Sequence, residues 1–382
     1  MVLIIQRKSS LICVLILGVI LISGCISGEN GKTQPNETAA LPAETEAPTT
    51  SPTITSPTTS APEQTAEIKS TVQPPKLPKG TPDPDITVGI YKPDKVWNGL
   101  TLLPDNHKRD RPRIIEVNML GEIVWQYQLP DNLKEYTNTG LDAELLSNNN
   151  ILIVLTGKGL FEINRNGTIV WSYEDPRVSH DADRLPNGNT LFVFGMMDSK
   201  NDAQVKEVNQ EGQIVWEWHA RDYFDKAPYT DIDREGWTHT NAVIRLPNGN
   251  TIISLRNFNF VVEVDPTGSV VRTYGEGIFI RQHDPEILPN GNMLVASHSK
   301  PQKAIELDSN KKVVWEFTLL EPENYPLRDA NRLPNGNTLI TGTKKIVEVT
   351  SGGELVWELK LNANFQDAKS EGFYKAYRID PQ

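Results

Sequence analysis

The stretch HTNAVIRLPNGNTIISLRNFNFVVEVD, residues 239–265, holds three short β-rich runs, and the first two are separated by Pro-Asn-Gly-Asn. Asn-Gly between β-branched runs predicts a hairpin, with both turn residues at positive φ in a type I′ turn. The hairpin recurs as DRLPNGNTLFVF (183–194), EILPNGNMLVAS (286–297), NRLPNGNTLITG (331–342) and the weaker ELLSNNNILIVL (144–155). A second hairpin follows each: EINRNGTIVW (162–171), EVNQEGQIVW (207–216), EVDPTGSVVR (263–272), ELDSNKKVVW (306–315) and EVTSGGELVW (348–357), with a further copy at the front, EVNMLGEIVW (116–125). Together the two hairpins form a four-stranded antiparallel unit, A to D.

The frontmost copy lacks its strand A, since WNGLTLL (97–103) supplies only the turn and strand B. The missing strand stands at the other end of the chain, where YKAYRID (374–380) matches NAVIRLP (241–247). A C-terminal strand that completes the first unit closes a ring and leaves no open sheet edge between first and last blades. The expected fold is therefore all-β: a six-bladed propeller of four-stranded antiparallel blades over residues 84–382, closed by the C-terminal strand. An open solenoid would leave that strand copy without a role. Trp125, Trp171, Trp216, Trp315 and Trp357 end strand D at one repeat position, which marks them as packing between blades.

The rest of the chain reads differently. Residues 1–24 carry Arg7 and Lys8, then an apolar run from Leu11 to Ile22, then small residues, the layout of a secretory signal. Ile22-Ser23-Gly24-Cys25 resembles the lipobox of prokaryotic lipoproteins, which implies lipidation of Cys25 and a membrane-anchored, extracytoplasmic protein; an uncleaved N-terminal anchor is the alternative. Cys13 would leave with the signal, so no thiol would remain for a disulfide, a metal or catalysis. Residues 25–83 are dominated by Thr, Pro, Ser, Glu and Ala, a composition that predicts a disordered stalk. At ~3 Å per residue it would reach ~100 Å or more, and Asn36-Glu37-Thr38 is a glycosylation sequon. The formal net charge of −11 comes with no basic stripe, which argues against a nucleic-acid partner.

Strand order fixes where chemistry collects. Everything before strand A and after strand B gathers on one face. Five residues before the Leu of each LPNGN-like turn, at the start of the innermost strand, stand Leu141, His180, His283 and Arg328, with Tyr374 in the closing strand; His239 lies two residues further back in its blade. Three of the chain's six histidines thus fall around one channel mouth, and strand B of the fourth blade returns Arg256 to His239. Imidazoles serve as nucleophiles and proton carriers, and a guanidinium clamps an oxyanion, so the set suits transfer of an anionic group. The connection from His219 to Trp237, rich in aromatic and charged residues, emerges on the same face as a candidate wall for the site.

At these residues a family resemblance becomes specific. SHDADRLPNGNTL, THTNAVIRLPNGNTIISLR and RQHDPEILPNGNML resemble the arylsulfotransferase family of PAPS-independent bacterial enzymes, six-bladed propellers that move a sulfuryl group between phenols through a sulfohistidine. The resemblance spans roughly residues 95–382. It implies His283 as nucleophile, His239 and Arg256 as stabilisers of sulfate charge and leaving phenolate, and His180 as a further sulfate ligand. Arg328, Tyr374 and Trp237 complete the set as candidate substrate-binding residues. Aryl sulfates and phenols are the implied small-molecule partners, with no cofactor and no metal. Two features depart from the family: the stalk stands where larger members carry a globular N-terminal domain, and a disulfide near the site has no counterpart. His298, at the strand-B position equivalent to Arg256, has no counterpart in the pattern and reads as a fifth ligand or an exposed residue. Two other functions stay open on the residues alone. One is a tethered module that binds an anionic ligand; the other is a three-histidine metal site with Asp181 and Asp284, which Arg256 opposes.

Overall fold

In the computed structural model the described residues are 78–380, apart from 138–139, 232–234, 321–325 and 363–371. The candidate signal, Cys25 and nearly all of the stalk lie outside them. A proline-bearing turn joins the two inner strands in four of the blades. In Leu185-Pro186-Asn187-Gly188, the Gly188 amide donates to the Leu185 carbonyl at 2.9 Å, and the Leu185 amide donates to Asn189 at 2.8 Å. Only the glycine takes positive φ, at 87°, and Asn187 does not. The turn is therefore type I with a left-handed glycine closing a bulge, not the type I′ that Asn-Gly alone predicts, because Pro186 holds its φ near −65°. In the SNNN copy Asn149 fills the left-handed position at 66°.

Six sheets follow, each with its innermost strand at the axis: Asp142–Leu145, Ser179–Arg184, Thr240–Arg245, His283–Ile287, Leu327–Arg332 and, for blade 1, the closing strand Tyr377–Ile379. The closing strand pairs Leu100 with Ile379 and Leu102 with Tyr377, as the matched copies predict. One strand has no counterpart in the repeat. Ile86–Tyr91 lies along the outer edge of blade 6, pairing Ile86 with Leu361 and Tyr91 with Trp357. Just before it, Thr81 exchanges two 2.9 Å backbone bonds with Ile123 of blade 1. The ring is thus clasped outside as well as at the axis, the outer edge of blade 6 is covered, and pairing begins three residues ahead of the expected start at 84.

Each junction between blades is sealed by one apolar cluster, such as Leu152, Val154 and Phe192 between blades 2 and 3. The tryptophans stitch the outer rim. Trp125 donates its indole N–H to Arg165 O, Trp171 to Gln210 O, Trp218 to Gly268 O, Trp315 to Ser351 O and Trp357 to Met119 O, all within 3.0 Å. Every acceptor sits in the C–D turn of the next blade. In blade 4, where Arg272 replaces tryptophan, its guanidinium reaches Ser309 O at 2.6 Å. In blade 3 the bond comes from Trp218, and Trp216 instead stacks under Arg245 at 5.1 Å.

The axis is polar. The residue following each ring position points inward: Asp142, Asp181, Asp284 and Asp329 from four blades, and Lys375 from the closing strand. The Lys375 ammonium lies 2.5 Å from Asp181, 2.9 Å from Asp284 and 3.3 Å from Asp142. Burial alone would strip its proton, but these carboxylates hold it on. Burial raises Asp142 to about 8 and Glu144 to about 7, with Lys375 opposing the first and the Arg184 amide the second.

Candidate functional site

Two of the histidines enter their strands through the left-handed region, His180 at φ 46° and His239 at 48°, an unfavourable conformation for a side chain with a Cβ. The ladder bulges at both places: Asn241 is an extra residue after His239, and His180 is itself one of two extra residues between Ser179 and Ala182. His180, His239, Arg256 and His283 are all buried, each below 8% exposure. The rings of His180 and His239 meet edge-on at 4.9 Å. Tyr374 spans the mouth, 6.1 Å from His180 and 6.4 Å from His283 between ring centres, with the Arg328 guanidinium 5.3 Å above its ring. The fold therefore gathers His180, His239, Arg256, His283, Arg328 and Tyr374 at one channel mouth.

The hydrogen bonds fix which imidazole nitrogens carry lone pairs. His283 donates Nδ1–H to the Arg281 carbonyl at 3.0 Å, which leaves Nε2 as acceptor for Arg328 Nη1 at 3.3 Å. His239 donates Nδ1–H to the Glu235 carbonyl at 2.6 Å. Burial, with the neighbouring arginines, keeps the histidines neutral: His239 is lowered to about 3, and His180 and His283 fall well below the ordinary histidine value. Burial also lowers Arg328 to about 10, so it stays charged at neutral pH. Three buried polar atoms at the mouth, His180 Nδ1, Tyr374 Oη and Arg256 Nε, have no hydrogen-bond partner among the described residues. These groups are available to hydrogen-bond a ligand or water at the mouth.

Three neighbours, Glu235, Asp198 and Lys375, escaped the sequence reading, and a fourth, His298, was left open by it. Glu235 joins the site by its carboxylate, 2.8 Å from Arg256 Nη1; burial raises its pKa, but the Arg256 bond brings it below the usual value. Asp198, 4% exposed, accepts from the amides of Thr238 and His239 at 3.1 Å and from the Thr238 hydroxyl at 2.7 Å, and so fixes the turn that presents His239. Neither residue occupies a repeat position, so only the fold could find them. Lys375 was discoverable as the one cation in a register of aspartates. His298 stacks on His283 at 4.5 Å with its Nε2–H donated to Leu327 O at 2.7 Å, so it belongs to the constellation and is not a freely exposed residue.

Trp237 is corrected. Its ring is 1% exposed, packed edge-on to Phe258 with its N–H on Tyr229 O, in the core between blades 3 and 4, where no substrate can touch it. Phe224 and Tyr229 of the same connection turn inward onto Phe258 and Phe260. Among the described residues of this connection, Glu235 is the one that reaches the site. The metal arrangement is also absent: Asp181 and Asp284 face Lys375, and among the described residues no group of three or more His, Cys, Asp or Glu is placed to hold a metal ion.

If Asp198 acts only by holding His239, Asp198→Ala is expected to lower kcat about 10²-fold with KM little changed. Asp198→Asn, which keeps one acceptor toward the two amides, is expected to recover most of it. Equal loss in both variants, or none in either, contradicts this positioning role.

Comparison with known proteins agrees with the geometry. The model of the arylsulfotransferase (ASST) family matches residues 90–288, a little over half of the 382-residue chain. The match includes His180, His239, Arg256 and His283, while Arg328 and Tyr374 lie beyond it. Among curated proteins none matches the sequence. A solved structure of a protein of unknown function from Bacteroides caccae is similar over 73% of this chain and 98% of that one, at 20% identity and a TM-score of 0.53, a likeness of fold alone. A virginiamycin B lyase from Staphylococcus aureus is 13% identical over 73% of this chain and 89% of its own, but its TM-score of 0.45 carries no argument. Because the family match runs through the very histidines and arginine that the ring of blades brings together, this chain belongs to the arylsulfotransferase family.

Proposed function

We propose that the protein moves a sulfuryl group from an aryl sulfate to a phenol in two displacements through His283. The observation that carries this reading is the His283 ring, neutral, with Nδ1–H donated to Arg281 O and the Nε2 lone pair beside Arg328 at 3.3 Å. In the first step Nε2 forms the N–S bond as the bond from sulfur to the aryl oxygen breaks, and the phenolate leaves with that electron pair. In the second, an acceptor phenol attacks sulfur as its proton passes by way of His239 Nε2 to solvent, and the N–S pair returns to His283. The proton released to solvent balances the one the first phenolate takes from it.

In this reading Arg256 and Arg328 meet the charge that grows on the sulfuryl oxygens, which is supported by their place in the ring that also holds the unpartnered His180 Nδ1 and Tyr374 Oη. Fixed donors of this kind lower a barrier because they need no reorientation as charge develops. The polar layer beneath, centred on Lys375, holds Tyr374 by its neighbour in the chain.

The buried histidines set the pH dependence. Their pKa values are depressed, so they bind protons only well below 6.5, and the nucleophile stays competent as pH falls through that value. The rate of phenolate release in the first step is expected to stay flat from pH 8 to about 5. A fall centred near 6.5, the value of an ordinary histidine, would contradict a buried neutral nucleophile.

Within this reading the stalk carries the propeller outside the cytoplasm from a lipid on Cys25. Cys25→Ser is expected to move the protein from the membrane to the soluble fraction of cells. Unchanged membrane recovery would contradict a lipid on that residue.

A further inference from the structure

On the histidine face, between blades 5 and 6, lies a cavity of about 310 Å³ with Pro301, Leu319, Leu320 and Pro326 as its apolar wall and His298, Ser299, Lys300 and Gln302 as its polar one. Leu320 stands at it with 79% of its surface exposed, an uncommon setting for a large aliphatic side chain beside a concave site. A cavity of about 150 Å³ is enough to hold benzene, so this one has room for a substituted or fused aromatic ring.

His298 joins the cavity to the site. One face of its ring lies on His283, at 4.5 Å and an interplanar angle of 19°, and the same residue borders the cavity. With Nε2–H committed to Leu327 O at 2.7 Å, its Nδ1 is left as a hydrogen-bond acceptor. The cavity thus offers flat apolar walls and one acceptor at the end nearest His283. That pattern is complementary to a flat apolar ring bearing a single hydroxyl at its inner end.

We infer that this cavity is the aryl subsite, which takes the ring of a phenol with its oxygen directed past His298 toward His283. His298 is then a specificity-determining residue that selects an arene with a hydroxyl at the inner end. The inference rests on the sulfotransfer reading for the choice of arene, but its test does not require transfer.

The test is a fluorescence titration of the full-length protein with 4-methylumbelliferone, a fused-ring phenol, in the absence of any sulfate donor. Two variants alter the cavity at positions that do not build the core: Leu320→Glu places a charge on its wall, and Ser299→Trp fills it. The wild type is expected to bind the phenol, and both variants at least tenfold more weakly with unchanged thermal unfolding. Binding within twofold of wild type in both variants, or no binding to the wild type at millimolar phenol, overturns the inference. The mass of the protein after mixing with an aryl sulfate separates the two claims. A sulfo adduct on His283 together with phenol binding indifferent to both variants removes the cavity and leaves transfer standing. Phenol binding lost in both variants, with no adduct in the wild type, keeps the cavity and removes transfer.

Discussion

His283→Ala is expected to abolish phenolate release from aryl sulfates, by about 10⁴-fold or more, while leaving the fold intact. The magnitude follows from the part assigned to the residue: loss of a nucleophile removes the covalent route, and what remains is the effect of binding and charge stabilisation alone. Alanine costs the fold little, because the ring's hydrogen bonds are one to a loop carbonyl and one from Arg328, both at the channel mouth and neither in a blade junction. The comparison that gives the result its meaning is Arg256→Ala, in which turnover should fall about 10²–10³-fold and a sulfo adduct should still form slowly. Equal activity of His283→Ala and wild type would exclude His283 as nucleophile.

The second large effect concerns the layer below. Lys375→Met is expected to destabilise the propeller by about 3–5 kcal/mol, because it removes the one ammonium facing Asp142, Asp181 and Asp284. For a domain of this size that is a fall in Tm on the order of 10 °C. The sign of its pH dependence follows from the raised carboxyls. Asp142, held up to about 8 by burial, binds its proton more tightly folded than unfolded, so its contribution to stability is present below about 4, the unfolded value, and is lost as pH rises through about 8. The deficit of Lys375→Met should therefore widen from pH 5 to pH 8.5, where the folded state must carry unpaired carboxylates. Calorimetry at the two pH values reads this directly, and a constant deficit would show that Lys375 matters by its bulk and not its charge.

How much of this was legible beforehand depends on whether a feature repeats. The blades, the closing strand at residues 374–380 and the ring of His180, His283, Arg328 and Tyr374 all sit in a register that recurs, and the structure places them where that register puts them. The turn type was misread because a local signal, Asn-Gly, was overruled by the proline before it, whose fixed φ selects a different turn. Strand 86–91 was missed because it belongs to no blade by repeat and finds its place only when the ring presents an open outer edge. Trp237 was misplaced since an aromatic residue near a site looks the same in sequence whether it lines the mouth or fills the core beneath it; burial decided for the core. Glu235 and Asp198 lie in connections of irregular length, where sequence distance says nothing of proximity to His239.

The central claim is a covalent one, so its most direct test is the mass of the intact full-length protein after brief mixing with 4-nitrophenyl sulfate, followed by peptide mapping. The account predicts a gain of one sulfo group, located on the peptide containing His283 and absent from His283→Ala. A folded protein that releases 4-nitrophenolate with no sulfo group on His283 would contradict it.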